Sequence, residues 1–114
     1  MNHYHLWCNL RPGVKDLAFV DAVNGYLGYL QKQGTIVGYN IERRKFGFSP
    51  PNLGDWHIDI QCEDLAQLDR AFNSVATREG EVEKLHAAVY GSACDLVSAL
   101  YRDFPDKVRT GPAK

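Results

Sequence analysis

Over residues 3 to 10, "HYHLWCNL", every second residue is apolar, and the positions between are polar except for Trp7. Tyr4, Leu6, Cys8 and Leu10 form one set, and His3, His5, Trp7 and Asn9 form the other. A period of two predicts a strand with two unlike faces. The turn signal Arg11-Pro12-Gly13 follows, after which Leu17, Val20, Val23, Leu27 and Leu30 recur at helical spacing as far as Gly34. Gly25 and Gly28 lower the helix propensity of that segment, and their spacing predicts close packing against a strand. A second strand is expected over Thr35 to Phe46. Its far end carries Glu42, Arg43, Arg44 and Lys45, as suits a sheet edge. Pro50 and Pro51 make Gly47 to Gly54 a loop, because proline has no N–H to give to a ladder.

Alternation returns over Asp55 to Cys62, where Trp56, Ile58, Ile60 and Cys62 oppose Asp55, His57, Asp59 and Gln61. Asp64 and Gln67 then form a capping-box-like helix start, with Leu65, Leu68, Phe72 and Val75 as the expected buried stripe. After a break at Thr77 to Gly80, Val82, Leu85 and Val89 predict a short helix ending near Gly91. A last strand, Cys94 to Arg102, ends before Pro105. The order is strand, helix, strand, strand, helix, strand, with an extra helical segment before the last strand. This is the split βαβ, or ferredoxin-like, α+β plan: a four-stranded antiparallel sheet with helices on one face. A single domain is expected over residues 1–106, with a C-terminal tail over 107–114.

The plan sets the first and third strands side by side in the middle of the sheet. Their apolar sets should meet the helices. Their other sets, His3, His5, Trp7 and Asn9 beside Asp55, His57, Asp59 and Gln61, should share the face that no helix covers. A tryptophan among histidines and carboxylates makes neither a core nor an ordinary wet surface, so a second subunit or a ligand is expected there.

Composition narrows the picture without naming a function. The chain has 114 residues, 45% of them hydrophobic and 24% charged, which is the make-up of one ordinary globular domain. A net charge of -1 argues against a dedicated nucleic-acid partner. No apolar run approaches the ~20 residues that span a bilayer, so no membrane partner is expected. The N-terminal residues lack the features of a secretory signal, which makes a cytoplasmic location the expectation. Cys8, Cys62 and Cys94 are three at wide spacing and read as small buried hydrophobes.

The strand-initial "YHLWCNL", the central "WHIDIQ" and the late "ALYRDFPD", together with the layout and length, resemble the dimeric α+β barrel group of ferredoxin-like proteins, and within it an uncharacterised bacterial branch. The resemblance covers residues 3 to 106. It implies a homodimer whose sheets face one another, enclosing a barrel-like interior or leaving a cleft on each open face. The group includes cofactor-free monooxygenases, lactone isomerases, stress-induced proteins and haem-dependent enzymes, so the fold leaves the chemistry open.

The candidate chemistry sits on the uncovered face. His3 and His5 lie about 6 to 7 Å apart along a strand, and His57 with Asp59 would complete a ligand set. Strand parity sends Cys8 to the other side, which breaks the apparent His-x-His-x-x-Cys string, and no metal is assigned. Acid–base chemistry is the second candidate, with His57 as base, Asp59 as its orienter and His5 as a second proton carrier. A hydrogen-bonded network that fixes a dimer interface is the plainer account of the same residues. Trp7 and Asn9 would hold a substrate, with His3, Gln61 and Arg44 around them; a tryptophan at a subunit boundary is as well explained as a packing anchor. His86 reads as a partly exposed helix residue without a role. No glycine-rich phosphate loop, G-x-S-x-G elbow or Cys–His nucleophile is visible.

The reading is a homodimer that binds a small organic ligand on its uncovered sheet face, with no cofactor called for. The alternatives are a cofactor-free monooxygenase or isomerase acting on a small aromatic or lactone-like substrate, and a structural dimer with no ligand.

Overall fold

In the computed structural model, whose described residues are 1–109, the alternating segments are strands and the periodic ones helices. The order is β1 (Asn2–Leu10), α1 (Asp16–Lys32), β2 (Gly38–Arg43), β3 (Trp56–Cys62), α2 (Leu65–Ala76), α3 (Gly80–Tyr90) and β4 (Ala93–Arg102). The strands form one antiparallel sheet in the order β2-β3-β1-β4, the ferredoxin-like arrangement with β1 and β3 at its centre. From residue 110 onward the expected tail lies outside the described residues.

Parity sorts the two central strands as the alternation requires. Cys8, Trp56, Ile58, Ile60 and Cys62 are buried beneath the helices together with Phe19, Val23, Leu27 and Leu30 of α1. Burial pushes the Cys8 thiol up to about 11, leaving it a protonated, inert core group. Leu17 does not join the α1 stripe and is 75% exposed; Phe19 takes its place, one turn before Val23. In α2, likewise, Leu68 and Ala71 are buried while Leu65 and Phe72 stay half exposed.

Local chemistry explains most of the boundaries. The second strand is shorter than its apolar run because Thr35 is tied back to the end of α1, both its N–H and its hydroxyl donating to the Leu30 carbonyl. Its far end stops where Phe46 enters the left-handed region (φ 56) and the Phe48 N–H turns back to Lys45. The expected capping box is present in modified form. Asp64 accepts from the Gln67 N–H at 2.8 Å, and the Gln67 side chain accepts from the N–H of Glu63 rather than from that of the cap residue. Gln67 also donates to the Gly34 carbonyl, so this buried amide is satisfied at both ends.

The paired glycines of α1 serve two neighbours. Gly28 faces Tyr39 of β2, as the strand-packing expectation required, whereas Gly25 faces Leu85 of α3. Gly54 meets the tightest constraint, because a Cβ there would collide with the backbone carbonyl of Cys8. The β2–β3 loop crosses the end of β1 at that point with no room for a side chain.

Replacement Gly54→Ala should therefore force the loop away from β1 and destabilise the fold by about 2 kcal/mol or more. Urea unfolding would measure this, and a variant of unchanged midpoint would show that the loop yields freely.

Candidate functional site

The uncovered face is assembled by register. His3 lies opposite Gln61, His5 opposite Asp59 and Trp7 opposite His57 across β1 and β3, while β2 places Glu42 beside His57 and β4 places Tyr101 beside His3. The rings form a ladder. His5 stacks on Trp7 at 5.6 Å and on His57 at 5.0 Å, Trp7 stacks on His57 at 4.8 Å, and Tyr101 meets His5 edge-on at 5.3 Å.

Two hydrogen-bonded systems run through this ladder. In the first, Glu42 Oε1 lies 2.6 Å from His57 Nδ1, and His57 Nε2 lies 2.8 Å from His5 Nδ1. A carboxylate only accepts, so His57 Nδ1 carries a proton. A single further proton is shared across the imidazole pair. In the second, His3 Nδ1 faces both oxygens of Asp59 at 3.1 and 3.2 Å, and His3 Nε2 faces Asp103 at 2.7 Å. With a carboxylate at each nitrogen, His3 is arranged to be an imidazolium.

Electrostatics separates the two histidines of β1. Burial depresses His3, but its hydrogen bonds to Asp103 and Asp59 outweigh burial and hold it above its ordinary value. Burial lowers His5; the pull of Asp59 in the other direction does not recover it, and the neighbouring His57 and His3 add to the lowering. Asp103 in turn is lowered, chiefly by its hydrogen bond to His3.

The expected site residues divide accordingly. His3, His5, Trp7, His57, Asp59 and Gln61 come together on one face. The carboxylate at the His57 ring is that of Glu42, however, and Asp59 holds His3 instead, with Gln61 donating to Asp59 at 3.5 Å. Asn9 bridges strands: its oxygen accepts from the Asp55 N–H, and its amide donates to Asp95 across a bulge in β4 where Asp95 has φ 56. Arg44 is ion-paired with Asp55 and lines a cleft under the β2–β3 loop with Trp7 and His57. Among the described residues, no group of three or more His, Cys, Asp or Glu is arranged to hold a metal ion.

A second feature lies on the other side of the sheet. Between the helix-facing residues of the sheet and helices α2 and α3 is an apolar cavity of about 210 Å³, lined among others by Tyr4, Tyr26, Phe72, His86, Tyr90 and Leu96. His86 is half buried there, edge-on to Tyr26 at 5.4 Å and stacked on Tyr90 at 5.7 Å. Burial pushes the Tyr26 hydroxyl up to about 12, which keeps it a neutral donor. His86 and Tyr90 are one turn apart on α3, a spacing visible in the sequence, but Tyr26 belongs to α1 and joins them only through the packing of α1 on α3.

A family model covers residues 1–113. The chain belongs to DUF6614, a family of unknown function. No curated protein matches it. Among solved structures, this DUF6614 chain is similar to the Arabidopsis thaliana protein At3g17210, with a TM-score of 0.70 and 14% identity over 94% of this chain and 99% of that one. It is also similar to SnoaB, a cofactor-independent oxygenase from Streptomyces nogalater, with a TM-score of 0.67 and 9% identity over 92% and 97%. A dimeric ferredoxin-like protein of unknown function from Thermobifida fusca matches with a TM-score of 0.59 and 12% identity over 88% of each chain. These likenesses establish the ferredoxin-like fold. No helix among the described residues is long and apolar enough to cross a membrane.

The opposite shifts of His3 and His5 give opposite pH signs. His3, raised in the fold, stabilises it below pH 6.5, and that contribution is lost as pH rises through its folded value; His5, lowered, favours the fold above pH 6.5 and is lost as pH falls. Ring-proton NMR titration should place His3 above 6.5 and His5 below it, with Asp103→Asn bringing His3 down. The reverse order would refute the two hydrogen-bonded systems.

Proposed function

We propose that this DUF6614 protein is a homodimeric binding protein for a small organic molecule, closing on a second copy through its uncovered sheet face and holding the ligand on the helix side of the sheet. The observation that carries the ligand reading is the cavity beneath α2 and α3. Its lining is aliphatic and aromatic, with tyrosine hydroxyls and one imidazole as polar handles, the usual make-up of a ligand site. A dry cavity of ~150 Å³ accommodates benzene, so about 210 Å³ suits a single substituted ring. Phe72, Tyr90 and Leu96, each about half exposed, stand at its margin and offer an entrance. This moves the ligand from the uncovered face, whose cleft beside Trp7 and His57 is open and partly polar, to the side of the sheet where an apolar cavity is present. The dimer reading is supported by similarity to proteins described as dimeric from Bacteroides fragilis and Thermobifida fusca, and by the ring ladder that no helix covers.

A second reading, a cofactor-free oxygenase or isomerase, is favoured by the Glu42–His57–His5 relay and by the likeness in fold to SnoaB. In it His5 ends the relay as base, His57 passes the proton and Glu42 orients His57, the part first given to Asp59. In this reading the substrate lies on the uncovered face, in the cleft beside Trp7 and His57, and turnover of a ring compound that disappears in Glu42→Gln would favour it over simple binding beneath the helices.

The binding reading is tested with p-cresol followed by ligand-observed NMR. Ala71 is buried at the cavity wall, so Ala71→Phe should fill the space and weaken p-cresol binding about tenfold or more, while His57→Gln should leave it unchanged. Absence of p-cresol binding, or binding indifferent to Ala71→Phe, would overturn it.

A further inference from the structure

We propose that the helix-side cavity selects uncharged ring compounds that carry a hydrogen-bonding group, and that Tyr26 recognises this group by donating its O–H to it. The inference rests on the binding reading above and names the class of ligand that the same site takes.

The lining of the cavity sets the charge of its occupant. Aliphatic side chains are joined there by Tyr4, Tyr26, Phe72, His86 and Tyr90, and the lining contains no lysine, arginine, aspartate or glutamate. An ion entering this space gives up its water and meets no opposite fixed charge, whereas an uncharged hydroxyl or carboxamide needs only hydrogen bonds in exchange. Neutral donors alone leave the charge of a carboxylate unbalanced. The cavity is therefore built to separate a ring carboxylate from its neutral isostere.

The polar atoms that would meet the neutral group are unoccupied by the protein itself. Tyr4, Tyr26 and His86 are each partly buried and line the cavity. Among the described residues, the buried side-chain polar atom without a hydrogen-bond partner is Glu83 Oε2. The Tyr26 hydroxyl, which has no partner within the described residues either, is thus not sealed inside the protein and opens onto space that a ligand can enter. The Tyr39 hydroxyl differs, since it is committed to Asn24 at 2.8 Å.

Tyr26 is singled out by its neighbour. His86 meets its ring edge-on at 5.4 Å and is itself stacked on Tyr90 at 5.7 Å, while Tyr4 and Phe72 form a second aromatic pair, edge-on at 5.3 Å. A neutral imidazole offers one N–H and one bare nitrogen, so beside the Tyr26 O–H it can accept from a ligand hydroxyl or amide. A group that both accepts and donates finds its complement there. The high proton affinity of the buried Tyr26 agrees with a hydroxyl that stays a donor.

Ligand-observed NMR at about pH 8, above the range in which an imidazole ordinarily carries charge, compares toluene, p-toluamide and p-toluate. The last two differ in charge but hardly in shape. p-Toluamide should bind about tenfold or more tightly than p-toluate. In Tyr26→Phe its binding should weaken about threefold to tenfold, while toluene, which has no group to bond, should keep its affinity. p-Toluate held as tightly as p-toluamide, as would follow if its carboxylate stayed in water at the entrance, overturns the charge selection. A Tyr26→Phe variant that leaves p-toluamide unchanged, or that weakens toluene equally, overturns the role of Tyr26. Each of those results leaves the cavity standing as a binding site, whereas failure of all three probes to bind overturns the binding reading itself.

Discussion

The antiparallel pairing of β1 with β3 is the constraint on which the rest depends. It lies at the centre of the sheet and sets His5 opposite Asp59 and Trp7 opposite His57. Because side chains alternate with a period of two, a slip of one residue in either strand would turn its polar set into the core. The register is held by burial: each of Ile58 and Ile60, together with Trp56 and the small Cys8 and Cys62, is nearly inaccessible, and burying an isoleucine contributes about 1.5–3 kcal/mol. Gly54 and Asn9 reinforce it at one end. The loop passes flush over the Cys8 carbonyl while the Asn9 amide ties Asp55 and Asp95 to β1.

With the register fixed, the two sides of the sheet acquire different chemistry. The helix side is well packed under α1 and loosely packed toward β4, where the short α2 and α3 leave the aromatic-lined cavity. On the other side, hydrogen bonds organise the surface, and they sort its histidines by charge. His3, bracketed by Asp59 and Asp103, favours the cation, while His5, hydrogen-bonded to another imidazole and partly buried, favours the neutral form. Two residues of the same type, two positions apart on one strand, are thereby given opposite electrostatic roles.

How far this could be read from the chain depends on the range of the interaction involved. The alternation of Tyr4, Leu6 and Cys8 against His3, His5 and Trp7 is a property of neighbouring residues, as is the Asp64 cap. Both appear in the structure, the cap with its glutamine turned to Glu63. The helical stripes were legible only as stripes. Phe19 replaced Leu17, and Phe72 stayed half exposed, because the neighbour that each helix packs against selects which flank of an apolar arc is buried.

Sequence alone determined the ferredoxin-like order, the two unlike faces of β1 and β3, and the gathering of His3, His5, Trp7, His57, Asp59 and Gln61 on one of them, because each follows from local periodicity and from one pairing rule. Tertiary structure alone decided that Glu42 rather than Asp59 holds His57, and that His86 stands beside Tyr26. Those contacts join residues on separate elements, and the register of β2 on β3 and the seating of α1 on α3 that create them leave no periodic trace in the chain.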